Sequence, residues 1–204
     1  MATWSPRLVM SREAATLADL AGAKYDLETT IGFCKQLEAV DPQSPKGYVL
    51  VDALSTAIAI RYSRCFTSGV RPRLDAGVVK ALPGDLRAIH DFLRVIRDKY
   101  AAHSVNALEE NHVTVHVREA PGQPAIGGIG TLQARTLVFS GENAARVREL
   151  CQAVAIAVEA LMKEQQAVVK QQIGSMPVEE VYKMQEPEAY APEWDKIHLP
   201  RRRV

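Results

Sequence analysis

A mainly α fold is predicted for this chain: a four-to-five-helix bundle with a β-hairpin inserted before the last long helix. Three observations lead there. Apolar residues recur at helical spacing over four long stretches. One short run, His112-Val113-Thr114-Val115-His116-Val117-Arg118, alternates strictly instead. The helical stretches are bounded by serine and proline start signals and by glycine or proline stops.

Ser11 suits the N-cap of a helix running to about Val40, with Leu17, Leu20, Ala23, Leu27, Ile31, Cys34 and Leu37 along one stripe and Asp41-Pro42 as its stop. Ser44-Pro45 opens a second helix, whose stripe is Val51, Leu54, Ile58, Tyr62 and Cys65 and whose end is Ser68-Gly69. The link from Val70 to Leu82 carries Arg71 and Arg73 and has room for a short helical turn. Pro83 starts the third helix, which extends to about Ser104. The alternating run then makes one strand, a Pro/Gly-rich loop spans Pro121 to Gly130, and Thr131 to Phe139 makes the second strand. An isolated hairpin is marginal in water, so this one should pack on the helices or on a partner. The last long helix runs from about Glu142 to Gln172. Residues 1–172 thus read as one helical domain with its hairpin at about 111–139. Residues 173–204, punctuated by Pro177, Pro187, Pro192 and Pro200, read as an arm that is ordered only if it docks.

Of the 204 residues, 47% are hydrophobic and 24% charged, enough for one globular domain with a full core. The formal net charge of +1 excludes a global field toward nucleic acid or an anionic membrane, so any phosphate site must come from local clustering. Met1 to Met10 lacks the apolar core of a signal peptide, and no apolar run reaches the roughly 20 residues that span a bilayer. Cys34, Cys65 and Cys151 are odd in number and widely spaced, the pattern of buried reduced thiols. Together these point to a cytoplasmic protein with no membrane partner and no cofactor.

The third helix carries the chemistry. On a wheel of about 100° per residue, Leu86, Ile89, Leu93, Ile96 and Tyr100 form its apolar stripe. Arg97 and His103 fall on opposite flanks of Tyr100, about 120° apart. A guanidinium holds a phosphate in a fork of N–H donors, and an imidazole moves protons near neutral pH. His90, Arg94 and Arg97 follow i, i+4, i+7 spacing along a polar edge, and Arg61, Arg64 and Arg71 lie where a short connection could bring them to the same groove. The blander account pairs these arginines with carboxylates such as Asp91, Asp98 and Glu109, and makes His103 a cap stabilised by the helix dipole. His112 and His116, about 13 Å apart on a strand, cannot share a metal ion. Gly127-Gly128-Ile129-Gly130 precedes a strand rather than a helix, so hairpin flexibility explains it better than phosphate binding. No serine triad or dinucleotide fingerprint can be assembled.

The segment Arg97-Asp98-Lys99-Tyr100-Ala101-Ala102-His103 resembles the R-x4-6-H motif of the HEPN superfamily, the higher eukaryotes and prokaryotes nucleotide-binding domain. The run Arg61 to Arg71, His90-Asp91 and Ser104-Val105-Asn106 are similar to uncharacterised bacterial members of that group. The resemblance covers roughly residues 11 to 172. It implies a metal-independent RNA endonuclease, often a toxin or antiphage effector with an antitoxin partner, acting as a homodimer whose two motifs face one cleft. It also covers members that only bind nucleotides or serve as scaffolds, and the alternative expectation is a non-catalytic helical module that binds a nucleotide, RNA or a protein partner. Under it, Arg97 holds the scissile phosphate, His103 acts on the 2′-hydroxyl or the leaving oxygen, and Asp98 stands at the polar position where Asn is commoner. Arg61, Arg64, Arg71, His90, Arg94 and Tyr100 are the expected substrate-binding residues. A two-fold contact between third helices would supply the convergence that one helix cannot, with the hairpin's apolar face and Tyr182, Tyr190 and Trp194 of the arm as further anchors.

Overall fold

The computed structural model describes residues 4–69, 71–101, 109–118, 125–135, 139, 141–187 and 194–196, with backbone alone at 100, 101, 125, 135 and 196. It is mainly helical, with a two-stranded antiparallel hairpin before the last long helix. The order is α1 (Arg12–Glu38), α2 (Pro45–Ser63), α3 (Ala76–Lys80), α4 (Gly84–Ile96), a π-helical turn (Arg97–Ala101), β1 (Glu109–Arg118), β2 (Ala125–Arg135), α5 (Gly141–Gly174), α6 (Val178–Lys183) and a short 3-10 turn (Trp194–Lys196).

Start signals act as their chemistry demands. The Ser11 hydroxyl accepts from the Ala14 N–H at 3.1 Å, and that of Ser44 accepts from the Gly47 N–H at 3.0 Å, with Pro45 in the first turn of α2. Each satisfies an N–H that has no partner within its helix.

The main packing is α1 against α5, antiparallel over most of their length. Gln165 donates to the Glu13 carbonyl at 3.2 Å near one end, and Arg148 meets Glu38 at 2.7 Å near the other. Between these, Ala23, Leu27, Cys34 and Leu37 bury against the stripe Ala144, Val147, Leu150, Cys151, Val154 and Val158. α2 closes over α1 through Val51, Ile58 and Tyr62, and α4 adds Leu86, Leu93 and Ile96. All three cysteines are free, buried thiols, and burial pushes Cys34 and Cys65 up to about 12. Among the described residues, no helix is long and apolar enough to cross a membrane.

Two expectations need correction. Regular α-geometry, expected to continue to about Ser104, ends at Ile96 and gives way to the π turn. The wider i to i+5 turn changes the angular step, so a wheel drawn at α-helical pitch no longer applies beyond Ile96. Second, the glycine segment expected in the loop is strand: β2 begins at Ala125 and ends at Arg135, short of Phe139. The register pairs Val115 with Ile129 and His116 with Gly128, then Val117 with Ile126, leaving Gly127 as the extra residue of a bulge. The shared face of Val113, Val115, Val117, Ile126 and Ile129 stays 53 to 76% exposed. Phe139 sits instead in the core, its ring edge-on to Phe92.

The first part of the predicted arm returns to the N-terminal segment. The Leu8 N–H donates to the Gln185 carbonyl at 2.8 Å, and Arg7 meets Glu186 at 2.6 Å. An apolar cavity of about 330 Å³ lies at this junction, between Leu8, Met10, Ile173, Met176 and Met184. None of the candidate site residues lines it.

Gly47 is required by space rather than by backbone conformation. A Cβ there would sit 1.8 Å from the Asp41 carbonyl oxygen and 2.6 Å from the Ser44 hydroxyl. Alanine is the better helix former by up to about 1 kcal/mol, yet it would have to displace the turn that caps α2. Gly47→Ala should therefore destabilise the protein by about 1–3 kcal/mol in chemical denaturation, the usual cost of overpacking. A gain in stability would show that this turn yields freely.

Candidate functional site

Asp26 is the feature from which the site is built. It lies on the buried face of α1, one residue before Leu27, and is 2% exposed. A lone carboxylate in that position would be too costly to keep ionised. Three arginines reach it instead. Arg61 near the end of α2 is at 2.8 Å, Arg71 from the following link is at 2.7 Å, and Arg64 is at 3.6 Å. Gly22, one turn before Asp26, makes room for Arg71: a Cβ there would be 2.8 Å from its guanidinium nitrogen. Arg71 also donates to the Arg64 carbonyl at 3.3 Å, which ties the link to the end of α2. Burial pushes the Asp26 carboxyl up, but the hydrogen bonds from Arg71 and Arg61 outweigh it and hold the group below its ordinary value.

The arginines Arg61, Arg64 and Arg71 therefore do come together, on a carboxylate that sequence reasoning missed. The signal was present. Asp26 occupies a position of the apolar stripe Ala23, Leu27, Thr30, Cys34 and Leu37, where a charged residue needs a partner. Beside it Tyr25 is 64% exposed, and the Arg61 guanidinium carbon lies 5.9 Å from its ring centre.

His90 is placed differently from the polar edge expected for it. It is buried, its Nδ1 is 2.7 Å from the Tyr62 hydroxyl, and Phe66 packs edge-on against it at 4.7 Å between ring centres. Burial, with help from Arg94, lowers its pKa against the opposing pull of Asp91. A neutral ring lets Nδ1 accept a hydrogen bond from the Tyr62 hydroxyl, and burial keeps that phenol protonated.

Arg94 and Arg97 remain on the exposed side. The Arg97 guanidinium pairs with Asp98 at 2.7 Å, with side chains 44% and 53% exposed. That hydrogen bond holds the Asp98 carboxyl below its usual range. His103, Ser104 and Asn106 lie outside the described residues, as does Tyr190, and of Tyr100 only the backbone is described. The π turn packs on α2, whereas His90, seven residues before Arg97, meets Tyr62 at the C-terminal end of α2. α4 thus runs back along α2 from its C-terminal end. His112 and His116 share the polar face of β1, on either side of Thr114.

No family model matches this chain, and neither a curated protein nor a solved structure is measurably similar to it.

Two expectations follow from these geometries. Replacing Asp26 by Asn leaves three cations around a neutral amide. Since each can partly hydrate, the loss of stability should be about 3 kcal/mol, the lower end for a broken buried pair. Arg64→Ala, which removes the most exposed partner, should cost under about 0.5 kcal/mol. Equal effects would make Arg64 part of the neutralising set.

The second concerns pH. His90 has a lowered pKa when folded, so the unfolded chain binds more protons as pH drops through the ordinary imidazole value near 6.5. Its stabilising contribution is full above that value and is lost on acidification. Denaturation midpoints of the native protein should fall between pH 7 and pH 5, while His90→Gln, which keeps an acceptor for Tyr62, should stay nearly flat. Parallel profiles would assign the acid sensitivity elsewhere.

Proposed function

We propose that the chain is a metal-independent RNA endonuclease of HEPN type, built on a helical bundle and acting in the cytoplasm as a homodimer. The observation that carries this reading is the state of Arg97. It is not sealed in the core as a structural arginine would be; it stands half-exposed where regular helix gives way to a π turn. Such turns recur at functional sites because they free backbone groups and re-aim side chains.

The reaction needs two things from the protein. Proton transfer must remove the proton of the ribose 2′-hydroxyl as its oxygen bonds to the adjacent phosphorus and deliver one to the 5′-oxygen as the P–O5′ bond breaks, and the charge that builds on the phosphoryl oxygens must be balanced. His103 is the proton-transfer group and Arg97 the charge-balancing one. Asp98 holds part of the Arg97 guanidinium, and the remaining N–H groups serve the phosphate. The products are a 2′,3′-cyclic phosphate and a free 5′-hydroxyl. The exposed apolar face of the hairpin supports the dimer, since a two-stranded ribbon gains little stability alone. A toxin role with an antitoxin partner belongs to the same reading.

A second reading is favoured by the gathered arginines: a non-catalytic helical module that binds a nucleotide, an RNA or a protein partner. Cleavage separates the two. The purified full chain should cut single-stranded RNA in EDTA; His103→Ala should abolish cutting and Arg97→Ala should slow it at least about a hundredfold. Equal activity in the native protein and His103→Ala would overturn the nuclease assignment, and binding without cutting would select the module.

A further inference from the structure

One carboxylate needs about one counter-charge, yet Asp26 has three arginines around it, a surplus of two positive charges. Their hydrogen bonds, among the described residues, are one from Arg61 and one from Arg71 to Asp26, and one from Arg71 to a backbone carbonyl. A guanidinium carries more N–H donors than these bonds use. Arg64, at 3.6 Å and 55% exposed, adds little to the neutralisation of Asp26 and much to the surplus. The cluster is also held in place. Asp26 is fixed in α1, and Gly22 leaves the passage through which Arg71 crosses it.

The second observation is Tyr25. Its ring lies beside the cluster, has the Arg61 guanidinium near it, and is mostly open to solvent on a helix whose other faces are well packed. A flat aromatic surface next to fixed guanidinium groups is what a phosphate ester with an attached base requires: charge-assisted hydrogen bonds for the phosphate and a ring on which the base can stack.

We infer that Tyr25, Arg61, Arg64 and Arg71, organised by Asp26, form a binding site for a nucleotide unit, with the phosphate on the arginines and the base on the tyrosine ring. The unit is either a free mononucleotide or one nucleotide of a single strand. The site rests on residues other than Arg97, which pairs with Asp98. It deepens the binding reading above and stands whether or not RNA is cut, because its test uses a strand that cannot be cut.

The test is fluorescence anisotropy of the full chain with labelled 2′-O-methyl octauridylate, which lacks the attacking hydroxyl. Binding should be salt-sensitive. Tyr25→Ala should weaken it about tenfold through lost stacking. Arg64→Gln should weaken it and lower the slope of log affinity against log salt by about 0.7, one phosphate contact on a single strand. Circular dichroism checks that both variants are folded. Unlabelled AMP that displaces the strand at Tyr25-dependent concentrations makes the natural ligand a free nucleotide; displacement by oligonucleotide alone makes it a strand. No binding, variants that bind like the native protein, or displacement by inorganic phosphate as effective as by AMP would each overturn the inference.

Discussion

The ionised carboxylate of Asp26, set into the packed side of α1, constrains everything around it. Within a helix-to-helix contact it must be met by positive charge, and the nearest chain able to supply it is the end of α2 and the link beyond. The result fixes three separate pieces of backbone. α2 cannot slide along α1 without pulling Arg61 away from its oxygen. The link cannot lift without freeing Arg71. The Arg71 bond to the Arg64 carbonyl closes the circuit. Apolar packing of Val51, Ile58 and Tyr62 gives α2 its adhesion, but such contacts are non-directional and tolerate small shifts. The ion cluster is directional, and it selects one register.

That constraint also sets the course of α4. Because Tyr62 is held near the end of α2, His90 has a defined partner, and α4 is laid back along α2 from that point. Arg97 follows His90 by seven residues, in the π turn that packs on α2. Arg61, Arg64 and Arg71 gather on Asp26, whereas Arg97 pairs with Asp98.

Much of the architecture was legible because local chemistry states it twice. Ser11 and Ser44-Pro45 mark helix starts by their capping groups, and the apolar stripes that follow confirm the period. The strict alternation of His112 to Arg118 marks a strand for the same reason. What was not legible depended on partners distant in sequence or on subtle backbone changes. Asp26 looks like any helical carboxylate unless its place in the stripe is noticed, and its partners are 35 to 45 residues away. His90 sits at the border of its stripe, and only Tyr62 and Phe66 decide that it turns inward. Nothing in Arg97-Asp98-Lys99-Tyr100 distinguishes a π turn from another α turn. The glycines of β2 suggested a loop because glycine is a poor strand former, but the pairing of Val115 and Val117 across the hairpin carries them into the sheet.

The antiparallel pair of α1 and α5 has a consequence for how the molecule is made. Roughly a hundred residues separate the end of one from the start of the other. A ribosome adding about 5–20 residues per second takes several seconds to cover that distance. For that interval Ala23, Leu27, Cys34 and Leu37 have been synthesised without the surface that finally covers them. α2 can dock early, since its contacts with α1 are close in sequence, and the Asp26 cluster forms within that first half. The nascent chain would then wait as a two-helix clasp with one greasy flank, a natural client for a chaperone, until α5 leaves the exit tunnel and completes the core.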